Sequence, residues 1–111
     1  MSTRTAAAQV NPAGALLAMV TAFSDLPAPE LHVERLPPAG DGGEFVWGVN
    51  VSFHDSLSHF EQWCQALGLD PADVEAHLDG GTNWLNVFGT WSGVRVRLTG
   101  FFRFADPEQG Q

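Results

Sequence analysis

The sequence contains no lysine, no isoleucine and no tyrosine, and only one cysteine. Codons for the three missing residues are AT-rich, so their joint absence marks a strongly GC-rich genome and says nothing of mechanism. A lone Cys64 excludes an internal disulfide. No apolar run approaches the ~20 residues of a membrane span. The opening segment MSTRTAAAQV also lacks the roughly 7–15-residue apolar core of a secretory signal. The expected location is therefore the cytoplasm, away from any membrane. Five Arg stand against 13 Asp and Glu, for a net charge of −8. Phosphate contacts rely on cations, so this balance disfavours nonspecific binding to nucleic acid.

What is present fits one folded domain. A chain of 111 residues with eight Phe and four Trp has the material for a single core, and folding at that length buries roughly two-thirds of the unfolded surface. Residues 1–10 are expected to be a disordered tail, 11–104 a single α+β domain and 105–111 a second tail. Asn11-Pro12 reads as a helix start. Leu16, Leu17, Val20 and Phe23 follow at helical spacing, and Asp25-Leu26-Pro27 closes the helix. Leu31 to Leu36 alternates as a strand. After a Pro/Gly loop, Phe45 to Phe53 alternates more clearly, with Phe45, Trp47, Val49, Val51 and Phe53 on one side. Asp55 or Ser56 caps a second helix whose apolar stripe is Leu57, Phe60, Cys64 and Leu67, and Gly68 ends it. Residues 70–79 have a helix-like start, but Val74, Ala76 and Leu78 alternate with Glu75 and His77, so a short strand is preferred there.

From Trp84 to Phe104 the pattern is a hairpin turning at Ser92-Gly93. Setting Trp91 opposite Val94 aligns Gly89 with Val96, Val87 with Leu98 and Leu85 with Gly100. The other face then pairs Thr90 with Arg95, Phe88 with Arg97, Asn86 with Thr99 and Trp84 with Phe101. The expected architecture is two helices packed on one antiparallel sheet of four to five strands, in the order α-β-β-α-(β)-β-β.

That second hairpin face carries the candidate site: Trp84, Phe88, Arg95, Arg97, Phe101 and Arg103. Aromatics interleaved with Arg suit a protein interface, and they also suit stacking on single-stranded nucleic acid. Ordinary sheet packing is the third account, with helices covering the aromatics and Arg97 stacked on Phe88. His54-Asp55-Ser56 holds the residue types of a hydrolase triad, but neighbours at a strand end cannot aim three side chains at one point, and no nucleophile elbow is present. His32, His54, His59 and His77, with Asp79, lack metal-site spacing, so no metal and no cofactor are expected. Cys64 lies on the apolar stripe of a helix without Lys or Arg, which suits a buried thiol rather than a reactive one. Gly89, Gly93 and Gly100 sit in or between strands rather than before a helix, so they make no phosphate loop. Asp70, Asp73, Glu75 and Asp79 leave an acidic DNA-mimic inhibitor as a further alternative, beside an ordinary solvated face.

The segment Trp84 to Val96, with its G-T-W-x-G-V hairpin at Gly89 to Val94, resembles the ending of small uncharacterised actinobacterial and actinophage-type proteins. This resemblance covers about a third of the chain. It implies no activity and no functional residues, and at most a phage or mobile-element accessory that binds a larger host component. The expected function is a non-enzymatic protein-interaction module. Self-association is a second expectation: residues 55–79 carry six acids and no base, and 80–104 three Arg and no acid, so an acidic helix side of one copy faces a basic hairpin side of another.

Overall fold

The computed structural model describes residues 5–38, 43–54, 56–79 and 81–102. The elements are α1 (Val10–Ala22), β1 (Glu30–Leu36), β2 (Val46–Phe53), α2 (Leu57–Ala66), β3 (Glu75–Asp79), β4 (Thr82–Trp91) and β5 (Val94–Phe102). Single 3-10 turns at Ala6–Gln9 and Pro71–Asp73 precede α1 and β3. The α+β class is as expected. Arg103 and the 105–111 tail lie outside the described residues.

One five-stranded sheet runs in the order β1-β2-β5-β4-β3. An antiparallel sheet was the expectation, but the central β2–β5 pair is parallel. The connectivity explains this. Helix α2 carries the chain back along β2, so β3 starts in the direction of β2, and two hairpin reversals later β5 again runs parallel to β2. The β4–β5 register agrees with the sequence pattern pair for pair, from Trp91↔Val94 to Trp84↔Phe101. Ser92 and Gly93 both take positive φ, 52° and 79°, as a two-residue turn matched to the strand twist requires.

Helix α1 lies over β1, β2 and β5, and α2 lies over β2 and β5. Between helices and sheet sit Val49, Val51, Phe53, Val87, Val96 and Leu98 from the strands and Ala15, Met19, Phe60, Trp63, Cys64 and Leu67 from the helices and the α2 end. Ser56 caps α2 by accepting from the His59 N–H at 3.2 Å. At the other end Leu69 N–H reaches Cys64 O at 3.0 Å and Gly68 N–H reaches Gln65 O at 3.1 Å. This pair of bonds needs the left-handed φ of 71° at Gly68. Trp63, absent from the expected stripe, is among the most deeply buried side chains. Leu57, assigned to that stripe, is 38% exposed.

Helix α1 departs further from expectation. It starts at Val10, behind the turn of Ala6–Gln9, and Gln9 rather than Asn11 is its N-terminal boundary residue. Alanine favours helix, and Pro12 falls in the first turn, where backbone N–H groups have no partner in any case. The buried stripe is Pro12, Ala15 and Met19, while Leu17 is 66% exposed. Residues 70–79 contain both features that the sequence suggested: a turn capped by Asp70, whose carboxylate accepts from Ala72 N–H at 2.9 Å, then strand β3. No helix among the described residues is long and apolar enough to cross a membrane.

Candidate functional site: the open face of the sheet

Alternation along each strand sends half of the sheet's side chains away from the helices. On this open face stand Glu30, His32 and Glu34 of β1, Asn50 and Ser52 of β2, Arg95, Arg97, Thr99 and Phe101 of β5, Trp84, Asn86 and Phe88 of β4, and Glu75 and His77 of β3, as the cross-strand pairs dictate. All five described candidates, Trp84, Phe88, Arg95, Arg97 and Phe101, therefore share one surface. Helices do not cover them.

The five divide into two groups. Trp84 and Phe101 belong to an aromatic row that crosses the sheet. His77 stacks on Trp84 with ring centroids 5.2 Å apart, Trp84 meets Phe101 at 6.5 Å, and Phe101 stacks on His54 at 4.8 Å with the rings 8° from parallel. His54 Nε2 in turn donates to Glu30 Oε2 at 2.9 Å, and His77 lies 3.9 Å from Glu75. The row is four rings wide, half-buried at His77, Trp84 and Phe101 and exposed at His54, and has a carboxylate at each end, Glu75 beside His77 and Glu30 beside His54.

Phe88, Arg95 and Arg97 form the other group, which is tied into the fold. Arg95, not Arg97, lies over the Phe88 ring, 4.9 Å from its centroid, and its Nε donates to Pro37 O at 3.0 Å. Arg97 Nη2 donates to Glu34 and its Nε to Asn50 Oδ1 at 2.9 Å. Thr99 Oγ1 donates to the same Asn50 oxygen at 3.2 Å and lies 3.1 Å from the Asn86 side-chain oxygen. Asn50 and Thr99 are buried, so this chain of hydrogen bonds runs under the surface from β1 to β4. Among the described residues no buried side-chain polar atom is left without a partner. Such a network holds the strands in one register, because a slip would strand its buried groups.

The histidines of the row and the partners Glu34 and Asn50 were missed at the sequence level. His77 carries a usable signal, since it is the cross-strand neighbour of the candidate Trp84 within the β3–β4 hairpin; His54, which reaches Phe101 across the parallel seam, and Glu34, 63 residues from Arg97, carry none. Asp55 lies outside the described residues and the Ser56 hydroxyl is occupied as a helix cap. No group of three His, Cys, Asp or Glu side chains among the described residues is placed to hold a metal ion.

Cys64 sits on the helix side of the sheet, its Sγ 3.5 Å from Leu69 O. Burial pushes its thiol above the usual range, and the charges of Asp70 and Glu61 push it further. Above the unfolded thiol value of ~8.5 the unfolded chain loses a proton that the folded chain keeps. Stability is accordingly full below that pH and falls as the pH rises toward the folded value. With no Lys and no Tyr in the chain, almost nothing else titrates there. Urea midpoints measured between neutral and alkaline pH are expected to fall in the native chain and to stay level in Cys64→Val.

Comparison of the chain with protein-family models, with curated protein sequences and with solved structures finds no match to any of them.

Proposed function

We propose that the chain is a non-enzymatic module that binds a protein partner through the open face of its sheet. The observation that carries this is the row His77, Trp84, Phe101 and His54, set on a backbone whose register the polar chain beneath it fixes. Rings held in place lose little freedom on binding, and Trp is the commonest residue to dominate an interface. Glu30 and Glu75 at the two ends suit a partner surface that is apolar in the middle and carries hydrogen-bond donors at its flanks.

Single-stranded nucleic acid is the second reading, supported by the same rings. Two features weigh against it: Arg95 and Arg97 are engaged within the chain, and the carboxylates ending the row repel phosphate.

Affinity capture with and without nuclease separates the two. The expected result is one protein recovered in stoichiometric amount after nuclease treatment. Trp84→Ala is expected to weaken its binding by about 30-fold or more, the effect of losing a contact of ~2 kcal/mol. The fold should be kept, since the ring is only half-buried. Recovery of nucleic acid, or of proteins that vanish with nuclease, would turn the assignment to the second reading.

A further inference from the structure

The helix layer is incomplete. Five strands lie under two helices, α1 over β1, β2 and β5 and α2 over β2 and β5. Among the described residues on the same side, β3 and the Leu85 end of β4 are met by Leu69 and by the turn Pro71–Asp73, while Phe23 reaches only the far, Trp91 end of β4. Strands lie ~4.8 Å apart, so these two leave a strip about 10 Å wide, the spacing of one packed helix. Within it, alongside α2, runs a groove of about 720 Å³ floored by Leu57, Phe60, Cys64, Leu69, Val74 and Leu85. Leu78, 64% exposed, stands on β3 at the outer edge of this apolar strip.

The charge around the groove has one sign. No Lys or Arg occurs between Arg35 and Arg95. Glu61 lines the groove from α2, and Asp70 and Asp73 follow in the segment leading into β3. Both Glu61 and Asp70 act on the Cys64 thiol at its floor in the direction of a negative potential. We infer that the groove receives a cationic amphipathic helix of another protein, its apolar stripe on Leu57, Val74 and Leu85 and its Lys or Arg side chains against Glu61 and Asp70. A helix of a second copy of this chain does not qualify, because neither α1 nor α2 contains a Lys or Arg. Docking of this kind reads apolar anchors at helical spacing and is distinct from the open face, which lies on the opposite side of β4.

Titration of the isotope-labelled full chain with synthetic peptides tests this. The probe is a Leu/Lys amphipathic helix of about 14 residues, roughly four turns. Its comparators are the same peptide with Glu for Lys, and a shuffled Leu/Lys peptide that keeps the charge and loses the stripe. The expected result is saturable binding of the first, at least about ten-fold tighter than either comparator, with amide shifts centred on Leu57, Cys64, Leu69 and Leu85. Leu57→Glu, a change at a partly exposed site, is expected to remove that preference, and Trp84→Ala to leave it unchanged. Equal binding of the shuffled peptide would reduce the effect to charge and overturn the inference, as would shifts centred on the open face. Saturation by a neutral apolar dye without peptide binding would assign the groove to a small molecule. A concentration-dependent dimer mass abolished by Leu57→Glu would assign it to a second copy.

Discussion

Trp63→Ala is expected to remove a large share of the protein's stability. The indole is 1% exposed and stands at the junction of all the layers. It meets Phe23, just past the end of α1, edge-on at 5.6 Å and Phe53 of β2 at 6.3 Å. Its Nε1–H donates to Pro27 O at 2.8 Å, which ties the α1–β1 connection to α2. Removing a buried Trp side chain costs about 3–5 kcal/mol, against a total of roughly 5–15 kcal/mol for a domain. At about 4 °C per kcal/mol, the thermal midpoint should drop by ~12–20 °C. Trp63→Phe separates the two contributions. It keeps the ring contacts and loses the donor, so most of the stability should return, short by about 1 kcal/mol. Thermal and urea unfolding followed by circular dichroism read both. A Trp63→Ala protein as stable as the parent would mean that α1 is not packed through this residue.

Gly48→Ala is the second large effect, and it acts through backbone rather than through lost packing. A Cβ at Gly48 would lie 2.3 Å from the carbonyl oxygen of Arg95 and 2.8 Å from Leu36 Cδ1. A side chain tip can swing aside, but the Arg95 carbonyl belongs to β5, so one methyl pushes β2 and β5 apart where their pairing begins. Overpacking of this kind costs ~1–3 kcal/mol and occasionally more. The upper end is expected here, because Leu36 blocks the other direction. Gly14→Ala supplies the opposite sign. Nothing lies within 4 Å of a Cβ there, the site is inside α1, and replacing glycine in a helix should stabilise by about 0.5–1 kcal/mol. Urea midpoints of the two variants on either side of the parent would establish that crowding, not the loss of glycine, sets the first.

Local features of this molecule were legible in its sequence and distant ones were not. Ser92-Gly93 and a strict period of two on either side of it leave the β4–β5 hairpin a single register, and Ser56 and Gly68 bracket α2 by the hydrogen bonds they offer. In α1 the same kind of inspection misplaced the buried face, because Ala, Leu, Met and Val lie all round a helix without charges and nothing marks which side meets water. The parallel seam and the partners of Arg97 depend on β2 meeting β5 across most of the chain, and no local pattern encodes that. The open face was found because aromatic and Arg positions share its parity. The groove beside α2 was not, since its lining comes from α2, from the turn before β3 and from β4, which no local pattern brings together.

The seam also orders the assembly of the protein in time. Asn50 and Arg97, neighbours in it, are 47 residues apart, whereas the β4–β5 hairpin closes through a two-residue turn. Hairpins form within ~1–10 µs, and contacts of long sequence separation follow more slowly because the intervening chain must first be drawn in. Until β2 arrives, the β5 edge that carries Val94, Val96 and Leu98 has unpaired backbone groups beside an apolar face, the condition under which strands of separate molecules join. The central strand pair, the most protected part of the finished sheet, is thus the chain's most aggregation-prone edge while it folds.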